Sequence, residues 1–175
     1  MELQTERLRF LPLGESSDPD EVLPVFNSNP EWIAAFNDYA GQAEWDRSDV
    51  EMHLWKESMR ENSVAFLLRS LETDELIGLG GFIEPHPERE IPMIGLLLIN
   101  RSWQRRGLGT EAVEAMMEYL DDGDWDRVSV TVLEACPGVR EFWSRLGFEI
   151  VEQTQDQDKR AVWVMEAPLD DLPLV

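Results

Sequence analysis

The sequence predicts a one-domain α/β protein, with a mixed, mostly antiparallel sheet of about seven strands and helices on both faces. Its 175 residues suit a single domain with a real core, and no repeat or low-complexity linker divides the span 1–175. Residues 94–99 are apolar without interruption, so a strand formed by them would be apolar on both of its faces. This is typical of a central strand covered by helices on either side. Strand and helix patterns then alternate along the chain.

The spacing of apolar residues in the first half of the chain predicts three strands and several helical pieces. They are, in order, a strand at 8–13, helical pieces within 20–36, a helix at 48–61, and strands at 64–69 and 75–83. A capping-box pattern at Ser48 and Glu51 and an apolar stripe that includes Trp55 and Met59 predict the helix at 48–61. We expect Asn29 to cap the second helical piece, and His53 to be a packing or surface residue rather than a ligand.

The second half predicts the remaining strands and two helices. They are the central strand at 94–99, a helix at 108–120, a strand at 127–133, a short helix at 139–146, and two antiparallel strands at 148–152 and 160–165. Gly123 and Gly147 follow the two helices and are natural helix stops. The glycines within 75–83 predict a bend or bulge in that strand.

Composition excludes several classes of protein. The chain has 15 Lys and Arg against 36 Asp and Glu, a formal net charge of −21, which disfavours binding to nucleic acid or to an anionic membrane. This acidity is compatible with solubility alone or with attraction of a cationic substrate such as an amine. One cysteine, Cys136, and two distant histidines predict no disulfide and no metal site. With no signal peptide or membrane segment predicted, we expect a cytoplasmic protein.

The segment from Gln104 to Gly109, QRRGLG, lies between the central strand and the next helix. The first turn of a helix exposes unpaired N–H groups at the positive end of its dipole, and glycines let an anion approach that backbone. Residues 91–110 contain no Asp or Glu. If the acidic residues were distributed at random along this chain, a window of that length would lack them roughly one time in a hundred. The segment therefore predicts an anion site, although a plain turn with solvated arginines remains an alternative.

Two familiar phosphate-binding loops fit this segment less well. A P-loop requires Lys followed by Ser or Thr after its last glycine, whereas Thr110 and Glu111 follow Gly109. A dinucleotide fingerprint fits Gly107 to Ala112, with Glu134 after the next strand. However, its first glycine should follow the strand almost at once, so this alternative is less favoured.

The pattern Gln104-x-x-Gly107-x-Gly109 resembles the acetyl-coenzyme A signature of the GCN5-related N-acetyltransferase (GNAT) superfamily. A second stretch, PGVREFWSRLGFEI from Pro137, looks like that superfamily's later motif. The opening LQTERLRFLPL and the run GLGTEAV look like the branch that acetylates ribosomal-protein N-termini and related amines. The matches cover most of residues 91–152 and the first strand.

The resemblance implies a GNAT fold and a site for acetyl-CoA as co-substrate, without a metal. Backbone amides within Arg105–Thr110, which contains Arg106, Gly107, Leu108 and Gly109, would hold the pyrophosphate. The strand segment Leu97, Leu98 and Ile99 would pair with the pantetheine arm, and an N–H of Leu98 or Ile99 would polarise the thioester carbonyl. The amine would attack directly, so Cys136 is expected to be structural.

The sequence departs from the family pattern at two places. Trp143 stands four residues before Gly147, where relatives carry a Tyr that protonates the departing thiolate, and Cys136 takes the place of an Asn that contacts the arm. Trp143 is expected to pack against the arm. Glu84 and His86 lie upstream of the central strand and are the candidates for the base that deprotonates the amine.

The predicted function is acetyl transfer from acetyl-CoA to a primary amine, either a protein N-terminus or a small amine that is cationic in solution. The resemblance is also compatible with a homodimer. The alternative is a catalytically idle coenzyme-binding sensor or structural protein of the same fold, because Trp143 replaces the usual acid.

Overall fold

The computed structural model describes residues 3–14, 16–36 and 44–169. Within these ranges the chain forms eight strands, five α-helices and one short 3₁₀ turn at Arg101–Trp103. The strands are β1 Leu3–Gln4, β2 Leu8–Pro12, β3 Ser63–Ser70, β4 Leu76–Ile83, β5 Met93–Ile99, β6 Arg127–Leu133, β7 Glu149–Gln155 and β8 Ala161–Pro168. The helices are α1 Pro19–Asn27, α2 Pro30–Phe36, α3 Arg47–Met59, α4 Leu108–Asp121 and α5 Pro137–Arg145.

All eight strands form one sheet in the order β1-β2-β3-β4-β5-β6-β8-β7. Every neighbouring pair is antiparallel except β5 and β6, which are parallel. The predicted mixed, mostly antiparallel α/β sheet is therefore confirmed, with one strand more than expected. That strand, β1, has only two residues, too few for its alternation to be recognised in the sequence.

Two hydrophobic cores cover the two faces of the sheet. On one face, which we call the α4–α5 face, Met116 and Leu120 of α4 and Trp143 of α5 pack on strand residues such as Phe82 and Val130. On the opposite face, the α1–α3 face, helix residues including Phe26, Ile33 and Val50 pack on Leu79 and Leu98. Helices on both faces explain why the central strand is apolar on both sides.

Helix α3 differs from its prediction in both its start and its buried side. Asp46 is the N-cap and forms a capping box with Asp49, so the Ser48–Glu51 pattern is not the cap. Val50 and Leu54 are buried, whereas Trp55 and Met59 are 50% and 64% exposed. The helix therefore contacts the sheet through a narrower stripe than its apolar residues suggested.

The register between β4 and β5 contains a bulge. Gly81 pairs with Leu96 and Phe82 pairs with Ile94, which leaves Gly95 as an extra residue on β5. A second register shift, between β3 and β4, leaves Ile77 as the extra residue on β4 and confirms the irregularity predicted there. Gly78 permits the close approach of β4 to β5, because a Cβ at this position would lie 2.3 Å from the Leu98 carbonyl oxygen.

Candidate functional site

Strands β5 and β6 pair at only one end and then diverge. Met93 pairs with Ser129 and Ile94 with Val130, and the ladder stops there, at the Gly95 bulge. Beyond this point β6 keeps its pairing with β8 up to Leu133. The carboxyl-terminal part of β5 thus borders a gap in the sheet, as the family resemblance implied.

The register determines which backbone groups of β5 face this gap. The N–H of Asn100 donates to the carbonyl of Ile77. In an antiparallel pair, every second residue of a strand directs its N–H and carbonyl groups toward the same neighbouring strand. Leu98, two residues before Asn100, therefore directs its backbone groups toward Leu79 of β4. Leu97 and Ile99 therefore direct theirs toward the gap. Of the two N–H groups suggested by the sequence, Ile99 has the orientation to bind a ligand there, and Leu98 does not.

The loop after β5 presents the open end of α4. Gly107 is the N-cap residue with a φ of 77°, a left-handed conformation that favours glycine, and no side chain caps the helix. The first intrahelical bond runs from the Glu111 N–H to the Gly107 carbonyl at 3.0 Å. The N–H groups of Leu108, Gly109 and Thr110 precede that bond and point out of the helix end, where they suit an anion.

The three arginines around this loop have different partners. Arg101 is bound to Glu31 and to the Ser28 carbonyl on the α1–α3 side. Arg106 stacks on Trp103, with its guanidinium carbon 4.9 Å from the ring centroid, and donates to the Ser102 carbonyl. Arg105 is exposed, has a positive φ of 61°, and makes no ion pair within the described part of the chain. Its side chain is therefore available to an incoming phosphate.

Gln104 and Asn29 fix the loop to the end of β5. The Gln104 amide nitrogen donates to Asn29 Oδ1 at 2.8 Å and to the Ile99 carbonyl at 2.9 Å, and Asn29 Nδ2 donates to the same carbonyl at 3.0 Å. Asn29 is 7% exposed and occupies the predicted cap position before α2, where its carbonyl accepts from the N–H groups of Trp32 and Ile33, while its side chain is bound to the loop. The sequence offered no signal for this contact, because 75 residues separate the two amides.

A second anchor, also missed from the sequence, joins the start of the chain to α4. Glu111 accepts hydrogen bonds from Thr5 Oγ1, the Arg7 N–H and Arg7 Nε, and Arg7 Nη1 donates to the Arg106 carbonyl. Burial acts to raise the pKa of Glu111, but the hydrogen bonds from Thr5 and Arg7 outweigh it and lower the pKa. Glu111 is therefore an ionised group that anchors the start of the chain to α4, and Arg7 extends this anchor to the loop.

The aromatic residues of α5 pack in the α4–α5 core and approach the first turn of α4. Trp143 is 6% exposed and packs edge-on against Phe142 and Phe148, at centroid distances of 5.2 Å and 5.0 Å. Phe142 lies close to the loop, because a Cβ on Gly109 would be 3.5 Å from its Cζ. Cys136 precedes α5 and is half-buried, and burial, followed by the charge of Glu31, raises the pKa of its thiol. A raised pKa disfavours a nucleophilic thiolate.

The two predicted base candidates lie in the segment that follows β4, at the opposite end of β5 from the loop. Glu84 accepts a hydrogen bond from Trp125 Nε1 at 2.7 Å, and Trp125 packs against the α4–α5 core. His86 is half-buried, its backbone N–H donates to the Ile91 carbonyl, and its Nδ1 accepts from the Glu88 N–H. Burial lowers the pKa of His86, with Arg89 and Arg60 acting in the same direction against Glu88.

Neither a metal site nor a membrane span is found in the described part of the chain. No group of three or more His, Cys, Asp or Glu side chains within residues 3–14, 16–36 and 44–169 is arranged to hold a metal ion. Among the helices in those same ranges, none is long and apolar enough to cross a membrane.

The family model of the acetyltransferase (GNAT) domain matches residues 7–149, and the chain belongs to this family. Comparison with curated protein sequences gives no significant match. An acetyltransferase from Thermus thermophilus is 26% identical, with coverage of 96% of this chain and 99% of that one and a TM-score of 0.73.

Two more distant structures share the fold. A probable GNAT acetyltransferase from Chromobacterium violaceum has a TM-score of 0.80 at 13% identity, over 97% of this chain and 87% of that one. RimL is described as a ribosomal L7/L12 alpha-N-protein acetyltransferase in complex with coenzyme A. It has a TM-score of 0.71 at 16% identity, with coverage of 97% of this chain and 99% of that one. Family membership supports acetyl transfer as the general chemistry of this chain.

Proposed function

We propose that this protein transfers the acetyl group of acetyl-CoA directly to a primary amine. The observation that carries the proposal is the gap between β5 and β6, which opens beside the uncapped end of α4. One feature accepts an extended ligand along a strand edge, and the other accepts the negative charge that such a ligand carries. The structural relatives described as complexes with coenzyme A or acetyl-CoA support the same ligand.

In this proposal the pyrophosphate binds at the N–H groups of Leu108, Gly109 and Thr110, with Arg105 adding a free positive charge. Gln104 acts by holding the loop through Asn29, and Arg106 acts mainly through its stacking on Trp103. The backbones of Gly107 and Arg105 adopt the left-handed turn that exposes the helix end. These residues make up the coenzyme-binding loop predicted from the sequence.

The arm of the coenzyme would continue along β5 as an additional strand. Leu97 and Ile99 present backbone N–H and carbonyl groups to the gap, while the Ile99 carbonyl is already held by Asn29 and Gln104. An N–H on this edge would stabilise the negative charge that develops on the thioester oxygen during attack. The acetyl-CoA supplies the activated acyl group, and no covalent enzyme intermediate is required.

The acceptor would approach from the α1–α3 face. The loop 84–92 and the β7–β8 hairpin meet there, since Arg89 pairs with Glu152 at 2.7 Å and Arg160 of the hairpin donates to the Ala35 carbonyl of α2. Arg160 is itself paired with Asp156 and Asp158. The acidic groups outnumber the bases in this region, in keeping with the net charge of −21, and this favours a cationic amine.

The alternative is a protein that binds the coenzyme without catalysis. An assay of free thiol release from acetyl-CoA, with a panel of a peptide bearing a free N-terminus, spermidine and an aminoglycoside, separates the two functions. We expect amine-dependent release of thiol together with acetylated product by mass spectrometry. Coenzyme binding by calorimetry without product for any amine would support the non-catalytic alternative.

Trp143 provides a test of how the thiolate leaves. An indole N–H donates a hydrogen bond but does not transfer its proton near neutral pH, so Trp143 is not a general acid. We expect Trp143→Phe to retain turnover within about threefold and to weaken coenzyme affinity severalfold, because the smaller ring packs less well beside Phe142 and Phe148. A loss of turnover of about a hundredfold with unchanged coenzyme affinity would contradict this account.

The different surroundings of Glu84 and His86 lead to different expectations for their variants. Because the Glu84 carboxylate is bound by Trp125 on the α4–α5 side, we expect Glu84→Gln to change turnover less than about twofold. His86 is held neutral by its lowered pKa and is able to accept a proton, so His86→Gln should lower turnover about fivefold without altering coenzyme affinity. Steady-state rates from about pH 6 to about pH 9 measure both effects, and a larger loss of turnover in Glu84→Gln than in His86→Gln would show that Glu84, and not His86, takes part in proton transfer.

A further inference from the structure

A carboxylate that the sequence did not single out lies beside the bulge of β5. Glu57, in the last turn of α3, lines a small depression on the α1–α3 face together with Arg60, Ser63, Gly95 and Leu96. Gly95 is the bulged residue at which β5 leaves β6, so the depression adjoins the start of the gap. An amine that enters the gap from this face would pass close to Glu57.

The setting of Glu57 differs from that of Glu51 on the same helix. Its side chain is only 9% exposed, whereas that of Glu51, nearer the start of the helix, is 52% exposed. Its one ion-pair partner within the described ranges is Arg60, at 3.3 Å, a distance longer than a strong hydrogen bond. A largely buried carboxylate with a loose partner is unusual as a structural feature, since burial of a charge is costly unless it is well paired.

We propose that Glu57 is the general base for acetyl transfer. This inference rests on the proposed amine acetylation. In the step, the amine nitrogen forms a bond to the thioester carbonyl carbon, the carbon–sulfur bond breaks, and coenzyme A leaves as the thiolate. The proton lost by the amine passes to the Glu57 carboxylate, directly or through one water molecule, and then to the solvent or the thiolate.

The charged groups around Glu57 are consistent with this role. Arg60 directly follows α3 and pairs with Glu57, and it adds to the larger effect of burial in lowering the pKa of His86, in the loop after β4. The residues that β3 and β5 contribute to the depression, Ser63, Gly95 and Leu96, are uncharged. Among the described residues, Glu57 is the one carboxylate and Arg60 the one cation that line the depression.

The test compares Glu57→Gln with Glu51→Gln, a matched change on the exposed side of α3. With the amine of the panel that wild type acetylates fastest, Glu57→Gln should lower kcat about a hundredfold at about pH 7, with coenzyme affinity unchanged by calorimetry. The deficit should narrow as the pH rises to about 10, because the amine then loses its proton without help. Glu51→Gln should have wild-type rates throughout.

Other outcomes distinguish a failure of the role of Glu57 from a failure of the proposed amine acetylation. Wild-type kcat in Glu57→Gln, or a deficit that does not change with pH, would overturn the role of Glu57 while leaving amine acetylation intact. Wild-type protein without activity toward any amine of the panel would overturn both. If Glu57→Gln does not fold, Glu57→Asp, which retains the carboxylate one methylene further back, should lose about tenfold in kcat at about pH 7 and regain it at high pH. A wild-type rate in Glu57→Asp at both pH values would then contradict the proposal.

Discussion

Replacing Gly109 by valine is expected to weaken the binding of acetyl-CoA about a hundredfold, which corresponds to about 2.7 kcal/mol. Gly109 lies in the first turn of α4, and a Cβ at this position would lie 3.5 Å from Phe142 and 3.7 Å from Ile99. A Cβ alone fits at these distances, but the two additional methyl groups of valine would enter the space between the end of β5 and α5. That space is where the proposed ligand passes from the helix end to the strand edge.

Gly109→Ala is the matched control, because its single methyl group would make ordinary van der Waals contacts. We expect it to bind the coenzyme within about threefold of wild type and to be as stable, since alanine favours a helix more than glycine does. Titration calorimetry with acetyl-CoA, together with thermal unfolding, separates affinity from folding. Wild-type affinity in a folded Gly109→Val protein would exclude the α4 end as the coenzyme site.

The loop that we propose binds the coenzyme is recognisable in the sequence because its signals are local. The apolar strand, the spacing of Gly107 and Gly109, and the absence of acids over 91–110 all lie within one segment, and the structure places that segment at an open helix end. The contacts that hold the loop are not local. Asn29 reaches Gln104 and Arg7 reaches Glu111 across 75 and 104 residues, and no pattern in one sequence indicates such pairs.

The same distinction explains why α3 differs from its prediction and why the sequence alone does not indicate the surroundings of Glu84 and Glu57. The apolar residues Trp55 and Met59 have helical spacing, but the sequence does not say how wide a stripe the sheet can cover, and the structure leaves both exposed. Glu84 is a candidate base by its position in the chain, and its hydrogen bond with Trp125, 41 residues away, is not indicated by any local pattern. The low exposure of Glu57 arises in a depression that α3 shares with strands distant in the chain, and no local pattern indicates such a neighbourhood.

His53 makes stability depend on pH in a predictable direction. Its imidazole lies among Phe26, Trp32 and Trp45, with centroid distances from 5.1 Å to 6.1 Å, and its Nε2 is buried without a hydrogen-bond partner in the described ranges. Burial, with smaller contributions from Arg60 and Lys56, lowers the pKa of His53 to about 4. The unfolded chain binds this proton near its ordinary pKa of about 6.5, so protonation favours unfolding as the pH falls from about 7 toward 4.

We therefore expect His53 to remove about 2 kcal/mol from the free energy of unfolding between about pH 7 and about pH 5. In His53→Phe, where a ring of similar size carries no proton, this part of the loss should disappear, while stability at neutral pH stays equal or rises because no unpaired nitrogen is buried. Urea unfolding followed by tryptophan fluorescence at the two pH values measures the difference. His86→Gln is the control, since it leaves the ring among Phe26, Trp32 and Trp45 in place and should retain the His53 contribution. An equal loss of stability in wild type and His53→Phe would show that this histidine does not titrate between the folded and unfolded states as its burial implies.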